Sequence, residues 1–417
     1  MPITRPSQEV KSRKDFGQGP GGKLPAALSA NGGGRGRVCV TTALLCALSG
    51  LALQFLIVNF RYGGNWTALF CTGSNFKVPP ALAGERVYVF PNSTGYDGQM
   101  YHYVAHDPLI RTDIWRYMDN SRVRYRRILL PAIAFLLAAG RQAWIDKAFL
   151  GANLLFLFLG AWWLSRYLAS LGLQPRLAAL FILAPASLIS LERLNVDLSF
   201  TALCIGFALY VRLGQDAKAY ALLMLACLTR DTGFVLAAAA CLALSVERRF
   251  AKAAVLATAM LPAAAWYWRV QSMTPDYSDE RFGQLIPFKG IFEVLLHPLR
   301  YTFRGAVSAG LGWLDRLAML GYVVAVVLTF WLIRRNGFGQ MEAAMVLWSL
   351  LGLCLPGSSW EDCYFGARVF TPLLIYVMLR AVPSLGWRSM APLLMVIPRV
   401  VLQVGAPLLL AFRSGRS

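Results

Sequence analysis

A chain of 417 residues that is 57% hydrophobic and only 15% charged sits far from soluble domains, in which about a quarter of the residues are charged. Apolar stretches recur from Val38 to Phe412, which excludes a soluble multidomain protein and points to an all-α polytopic membrane protein. The net charge of +20 does not call for nucleic acid, because many Lys and Arg flank apolar stretches, as positive-inside orientation and anionic membrane lipids require.

Residues 1–37 are rich in Gly, Pro, Ser and basic side chains and read as a disordered cytoplasmic tail. They are too long and Gly-rich for a signal-peptide n-region, so 38–58 is expected to be a retained first span. Further spans are expected at 145–168, 176–191, 196–213, 217–229, 232–247, 251–270, 315–334, 340–356, 369–382 and 390–411. That makes a bundle of about 11 transmembrane helices over 38–412, followed by a short tail, 413–417. Several spans are shorter than the ~20 residues a bilayer core needs, so tilting is expected. Arg127–Gly140 is apolar but short and carries Pro131 in its first turn. It reads as an interfacial helix within a long first outside loop, 59–144. Every expected inside loop then carries basic residues, with the N-terminus cytoplasmic. The unexplained acids and many unexplained arginines collect on the outer side.

That first outside loop opens the chemistry with Tyr96-Asp97-Gly98-Gln99, followed by Tyr101, His102, Tyr103, His106 and Asp107. A carboxylate held beside hydrocarbon is costly and needs a reason. Gly98 permits close backbone approach or a positive φ, and the tyrosines offer flat faces suited to sugar rings or lipid head groups. Arg122, Arg124, Arg126 and Arg127 follow and are either snorkelling side chains or anion ligands. At the next outside turn, Glu192, Arg193 and Asp197 separate two apolar runs. Asp197 either caps the following helix or faces Asp97 across a cavity. Arg230 and Asp231 are either a neutralised pair or part of a polar pocket. Glu361, Asp362 and Arg368 precede another span, where an arginine suits a lipid-linked phosphate.

His102 and His106 stand four apart and would share a helix face, but no HExxH accompanies them, so they read as a surface pair and no metal ligand set is assigned. A divalent metal stays open. No Walker loop, GxGxxG before a helix or GxSxG elbow is present, which disfavours ATP, nicotinamide and serine-hydrolase chemistry. Of the eight cysteines, only Cys71 and Cys363 fall in outside loops, where they either pair or stay as two thiols.

Tyr96-Asp97-Gly98-Gln99, with Arg124-Tyr125-Arg126-Arg127-Ile128-Leu129-Leu130-Pro131, a first span, a long outside loop and a helical bundle, resembles the GT-C glycosyltransferases, most of all their bacterial mannosyltransferase-like branch. The resemblance implies transfer of a sugar, mannose favoured, from a polyprenyl-phosphate donor to a glycan, lipid or protein acceptor, on the outer face of a cell (inner) membrane. It implies Asp97 as general base, a second acid at Asp197 with Glu192 as its rival, and Arg368 at the donor phosphate. The remaining binding candidates are Tyr96, Gln99, Tyr101, His102, His106, Asp107, Arg124, Arg127, Arg230 and Asp231. Many relatives carry paired acids where this chain has Asp97-Gly98. A partly desolvated carboxylate is expected to have a raised pKa and act as a stronger base. The alternative is a secondary transporter or flippase, which would hold its charges near the bilayer midplane in broken helices. Convergence of Asp97, Asp197 and Arg368 is the feature that separates the two readings.

Overall fold

In lipid every backbone polar group must be satisfied within its own segment, and the apolar runs accordingly fold as helices. A computed structural model of the chain describes residues 32–275, 286–299, 301, 303, 305–360 and 363–414. The first helix, α1 (Gly32–Tyr62), encloses the first expected span and takes in 32–37 of the expected tail, whose residues 1–31 lie outside the described residues. The loop after it carries a two-residue parallel pairing of β1 (Thr72–Gly73) and β2 (Val89–Phe90), then α2 (Asp97–His106), α3 (Ser121–Arg126) and α4 (Leu129–Leu137). There follow α5 (Gln142–Ser170), α6 (Pro185–Arg193), α7 (Asp197–Arg212), α8 (Asp216–Thr229), α9 (Thr232–Val246), α10 (Phe250–Ala257) and α11 (Leu261–Met273). The chain ends with α12 (Lys289–Leu296), α13 (Ala306–Asn336), α14 (Gln340–Leu353), α15 (Cys363–Leu385) and α16 (Ala391–Ser414).

The bundle is all-α and built for a membrane, but not every expected span has spanning length. Among the described residues, five segments are long and apolar enough to cross, or six if one bent pair is a single span. The stretches expected at 196–213, 217–229, 232–247 and 340–356 fold as helices of 16, 14, 15 and 14 residues. A 14-residue helix rises about 21 Å, short of a hydrocarbon core of about 30 Å. Burial among neighbours is the reason α7 tolerates this: nearly all its side chains are shielded, so its ends meet protein rather than lipid. By contrast α1 turns Leu44, Leu45, Leu48 and Phe55 outward, a lipid-facing stripe.

The stretch 176–191 is not one helix. A 3-10 segment, Pro175–Leu183, meets α6 at an angle of 51°. Pro185 sits at the break; it lacks an N–H and pushes Ala184 out of the α region. The stretches expected as the last two spans fold as α15 and α16, joined by a 3-10 turn at Gly386–Met390, and together make one of the five segments. The apolar stretch at 127–140 contains only the nine-residue α4, and Leu136 and Leu137 at its tip are 72% and 61% exposed. Nine residues rise about 13 Å, so α4 does not span.

The first long loop has a core of its own, in which Met100, Tyr103 and Val104 of α2 pack with Leu82, Ile114 and Tyr125 and against Val270 of α11. The Trp266 indole donates to the Tyr125 carbonyl at 2.7 Å, tying the loop to α11. The loop is therefore a fixed platform. The C-terminal ends of α1, α6 and α8 and the N-terminal ends of α2, α7, α9 and α15 bring the polar residues singled out above to one end of the bundle. The basic loops lie at the other end, where Lys252 pairs with Asp216 at 2.5 Å and Arg380 with Glu342.

Candidate active site at one end of the bundle

Asp97 is the first residue of α2, where the unpaired N–H groups and the helix dipole favour an anion. The next residue explains why the motif reads Asp-Gly. A Cβ on Gly98 would lie 2.2 Å from the Arg193 carbonyl oxygen and 2.9 Å from that of Phe70. Gly98 is needed for close approach rather than for a positive φ, and it seats the start of α2 against the end of α6. Gly98→Ala is therefore expected to cost about 1–3 kcal/mol and to displace Asp97. The check is a lowered Tm.

Two arginines from distant parts of the chain hold the Asp97 carboxylate. Arg124 Nη1 of α3 lies 2.9 Å from Oδ1, and Arg368 Nη2 of α15 donates to Oδ2 at 2.6 Å. Arg368 also reaches the second acid, its Nη1 lying 3.2 Å from Asp197 Oδ2. Arg230 pairs with the other oxygen of Asp197. Arg368 and Asp197 are each only 2% exposed, so each buried charge is retained because its partner is present. Burial by itself would raise the Asp97 carboxyl. The guanidinium groups of Arg124, Arg368 and Arg127 outweigh burial and hold it well below the usual carboxylate range. The expectation of a raised pKa is thus reversed: one carboxylate stands among several cations.

The remaining charges extend this network. Asp119 takes Arg124 bidentately at 2.9 and 2.5 Å. Arg127 donates to Asp231 at 3.1 Å and to the Tyr101 hydroxyl at 2.9 Å, and the Tyr267 hydroxyl donates to Asp231 at 3.1 Å. Around the core Arg124, Arg127, Arg230 and Arg368 face Asp97, Asp119, Asp197 and Asp231, so the charges are balanced and mutually fixed. Glu192 lies in an adjoining layer, held by Arg61 at 2.9 Å, by the Tyr364 hydroxyl and by Arg193. Tyr96 joins the two layers, its ring lying 4.8 Å from the Arg368 guanidinium and 5.2 Å from that of Arg193.

Asp97, Asp197, Arg124, Arg127, Arg230, Asp231, Arg368, Tyr96 and Tyr101 therefore belong to one constellation, with Glu192 beside it. Gln99 is adjacent but faces inward, clamping the loop through the Gly73 N–H and the Thr94 carbonyl. Asp107 sits at the opposite end of α2 and accepts from the backbone of Arg111 and Thr112 and from the Thr112 hydroxyl, which makes it a turn cap. His102 and His106 point away from Asp97 and are buried rather than on the surface. They lie with Glu85 and Asp146 in a group whose ligand atoms are all within 4.8 Å of one another. Although burial opposes a charge there, the Asp146 and Glu85 carboxylates push His102 up to about 9. Cys71 is a buried thiol 3.5 Å from Arg193. The Cys363 side chain, Glu361 and Asp362 lie outside the described residues.

Sequence reasoning missed Asp119, Arg61, Tyr267 and Tyr364, which are ordinary loop and helix-end residues until folding brings them in. Asp146 did carry a signal, as an acid within the expected span 145–168. Comparison with family models, with curated proteins and with solved structures finds no match to this chain.

Proposed function

We propose that this protein is a membrane glycosyltransferase that moves a sugar, mannose favoured, from a polyprenyl-phosphate donor to an acceptor hydroxyl at the outer face of the membrane. The observation that carries the reading is the bridging of Asp97 and Asp197 by Arg368 at one end of an apolar bundle. A transporter site would need charges near the midplane, whereas these gather at helix ends. A second feature fits a lipid-linked donor. Arg368, Ile375, Met378 and Val382 follow one another along a single stripe of α15 at helical spacing. The last three line an apolar groove shared with Leu164, Leu168 and Phe181. A chain lying in that groove would carry its phosphate towards Arg368.

The chemistry follows from the charges. In the resting site Asp97 is ionised and a weak base, because the arginines stabilise its negative form. An arriving donor phosphate competes for Arg368 and Arg124. As they turn to the phosphate, Asp97 loses its counter-charges and its basicity rises where the acceptor hydroxyl must lose a proton. The same arginines stabilise the departing polyprenyl phosphate. Attack opposite the leaving group inverts the anomeric centre. A free-enzyme carboxylate held this low stays ionised, so kcat/KM is expected to show no acid limb from Asp97 down to about pH 5. A limb with an apparent pKa near neutrality that disappears in Asp97→Asn would overturn this mechanism.

The deciding experiment is transfer of radiolabelled sugar from polyprenyl-phosphate-mannose in membranes carrying this chain. Failure with this and a panel of other polyprenyl donors would sink the enzyme reading. The transporter alternative keeps one supporting observation, the 51° break between Pro175–Leu183 and α6. It predicts substrate accumulation by proteoliposomes without any transfer product.

A further inference from the structure

We infer that Glu85, His102, His106 and Asp146 form a binding site for one divalent transition-metal ion, with zinc the best fit to the donor set. The ion would staple α2 to α5 and to the segment before β2. This assignment is independent of the proposed activity and of the arginine-rich constellation at the other end of α2.

Three observations carry it. The first is tautomer. His106 Nδ1 is 2.5 Å from Gln142 Oε1, and Gln142 Nε2 donates back to the His106 carbonyl at 3.3 Å. The amide oxygen can only accept, so Nδ1 donates to it and Nε2 is the nitrogen that faces the carboxylates. Fixing a ligand histidine through its other nitrogen is what metal sites do. The second is the surroundings of these atoms. Among the described residues, His106 Nε2 and Glu85 Oε2 are buried without a hydrogen-bond partner, and the His106 side chain is 1% exposed. Carboxylates gathered out of water need a cation among them, and a metal ion would compete with the His102 proton for that place.

The third is distance. His106 Nε2 lies 3.5 Å from Asp146 Oδ1 and 3.6 Å from Glu85 Oε1, and His102 Nε2 lies 3.6 Å from Glu85 Oε2. These separations are too long for hydrogen bonds. They match the edge of about 3.4 Å of a tetrahedron whose metal–ligand bonds are about 2.1 Å. His102 Nε2 is closer to Asp146 Oδ1, at 2.7 Å, a distance that suits a shared proton. An ion replacing that proton would part the two atoms by roughly 0.7 Å. Two imidazoles and two carboxylates suit zinc better than magnesium or calcium, which prefer all-oxygen shells. The Phe70 ring stacks on His102 with centroids 3.9 Å apart, fixing its plane. His102 lies about 7.5 Å along α2 from Asp97, so the ion would set the seat of the helix that carries Asp97 without touching the chemistry.

The test uses the full chain in detergent with any affinity tag removed. Protein stripped with EDTA, reloaded with zinc sulfate and desalted should carry about one zinc per chain by elemental analysis, and zinc should raise its Tm. Cobalt in place of zinc should give the intense visible bands of a tetrahedral ion. Gln142→Ala, a mild change outside the ligands, should weaken zinc binding by about 10–100-fold, and His106→Ala should abolish it. Asp97→Asn should bind zinc as the wild type does. Background zinc content with no change in Tm would overturn the inference, as would a pale octahedral cobalt spectrum or unchanged affinity in both Gln142→Ala and His106→Ala. The cobalt spectrum of the wild type decides the matter even if His106→Ala does not fold.

Discussion

On the proposed reading, with Asp97 as general base, replacing Asp97 by asparagine is expected to lower sugar transfer by roughly 10²–10⁴-fold, the usual contribution of a positioned base. The protein should still fold. Arg124 keeps Asp119 and Arg368 keeps Asp197, so neither guanidinium is left without a carboxylate, and the full penalty for an orphaned buried charge does not arise. Asparagine nearly matches the shape of aspartate but cannot take a proton, so the loss should fall on kcat more than on the donor KM. Tm measured beside the rate separates chemistry from stability. A Tm that collapses with the rate would reduce Asp97 to a structural anchor, and unchanged transfer would remove it from the chemistry. Because the folded pKa lies below the unfolded one, the stability that Asp97 adds is present above the ordinary carboxylate pKa. It is lost only as pH falls through the lower folded value. Asp97→Asn should therefore flatten the acid end of a stability profile and leave the neutral range parallel to wild type.

Arg368→Ala is expected to be the most damaging single change, costing about 3–5 kcal/mol of stability as well as transfer. It takes one cation from two buried acids at once, and its guanidinium also lies over Tyr96. Arg230 and Arg124 would still partner Asp197 and Asp97, so partial folding is expected. Arg368→Lys makes the test sharper. Lysine keeps the charge but not the fork that spans both carboxylates, and much of the Tm should return. If Arg368 also holds the donor phosphate, transfer should stay depressed and the donor KM should rise. Full recovery of transfer along with Tm would restrict Arg368 to holding the two acids in place.

Several features were readable from residues alone. The helical membrane class follows from composition, because a chain this apolar can satisfy its backbone in lipid only with helices. That 127–140 is too short to span follows from its length and from Pro131. The gathering of Asp97, Asp197, Arg230 and Arg368 at one end follows from the alternation of successive apolar segments, whether or not each one spans, since helix direction decides which ends lie together. The span count itself was less legible. The 16 residues of α7 look like a span in hydropathy, but helix lengths and bends depend on neighbours that bury the ends.

What only the tertiary structure decided is the state and partnership of each charge. The local sequence around Asp97 says glycine and aromatics, and burial then argues for a raised pKa. Arg368 lies 271 residues away along the chain, yet it and Arg124 reverse the sign. His102 and His106 likewise read as a surface pair, because Glu85 and Asp146 are remote from them in sequence and near only once α2 lies against α5. Helix periodicity is local and is written in the sequence. Electrostatic energy depends on distances between groups whose separation in sequence carries no information about their separation in space.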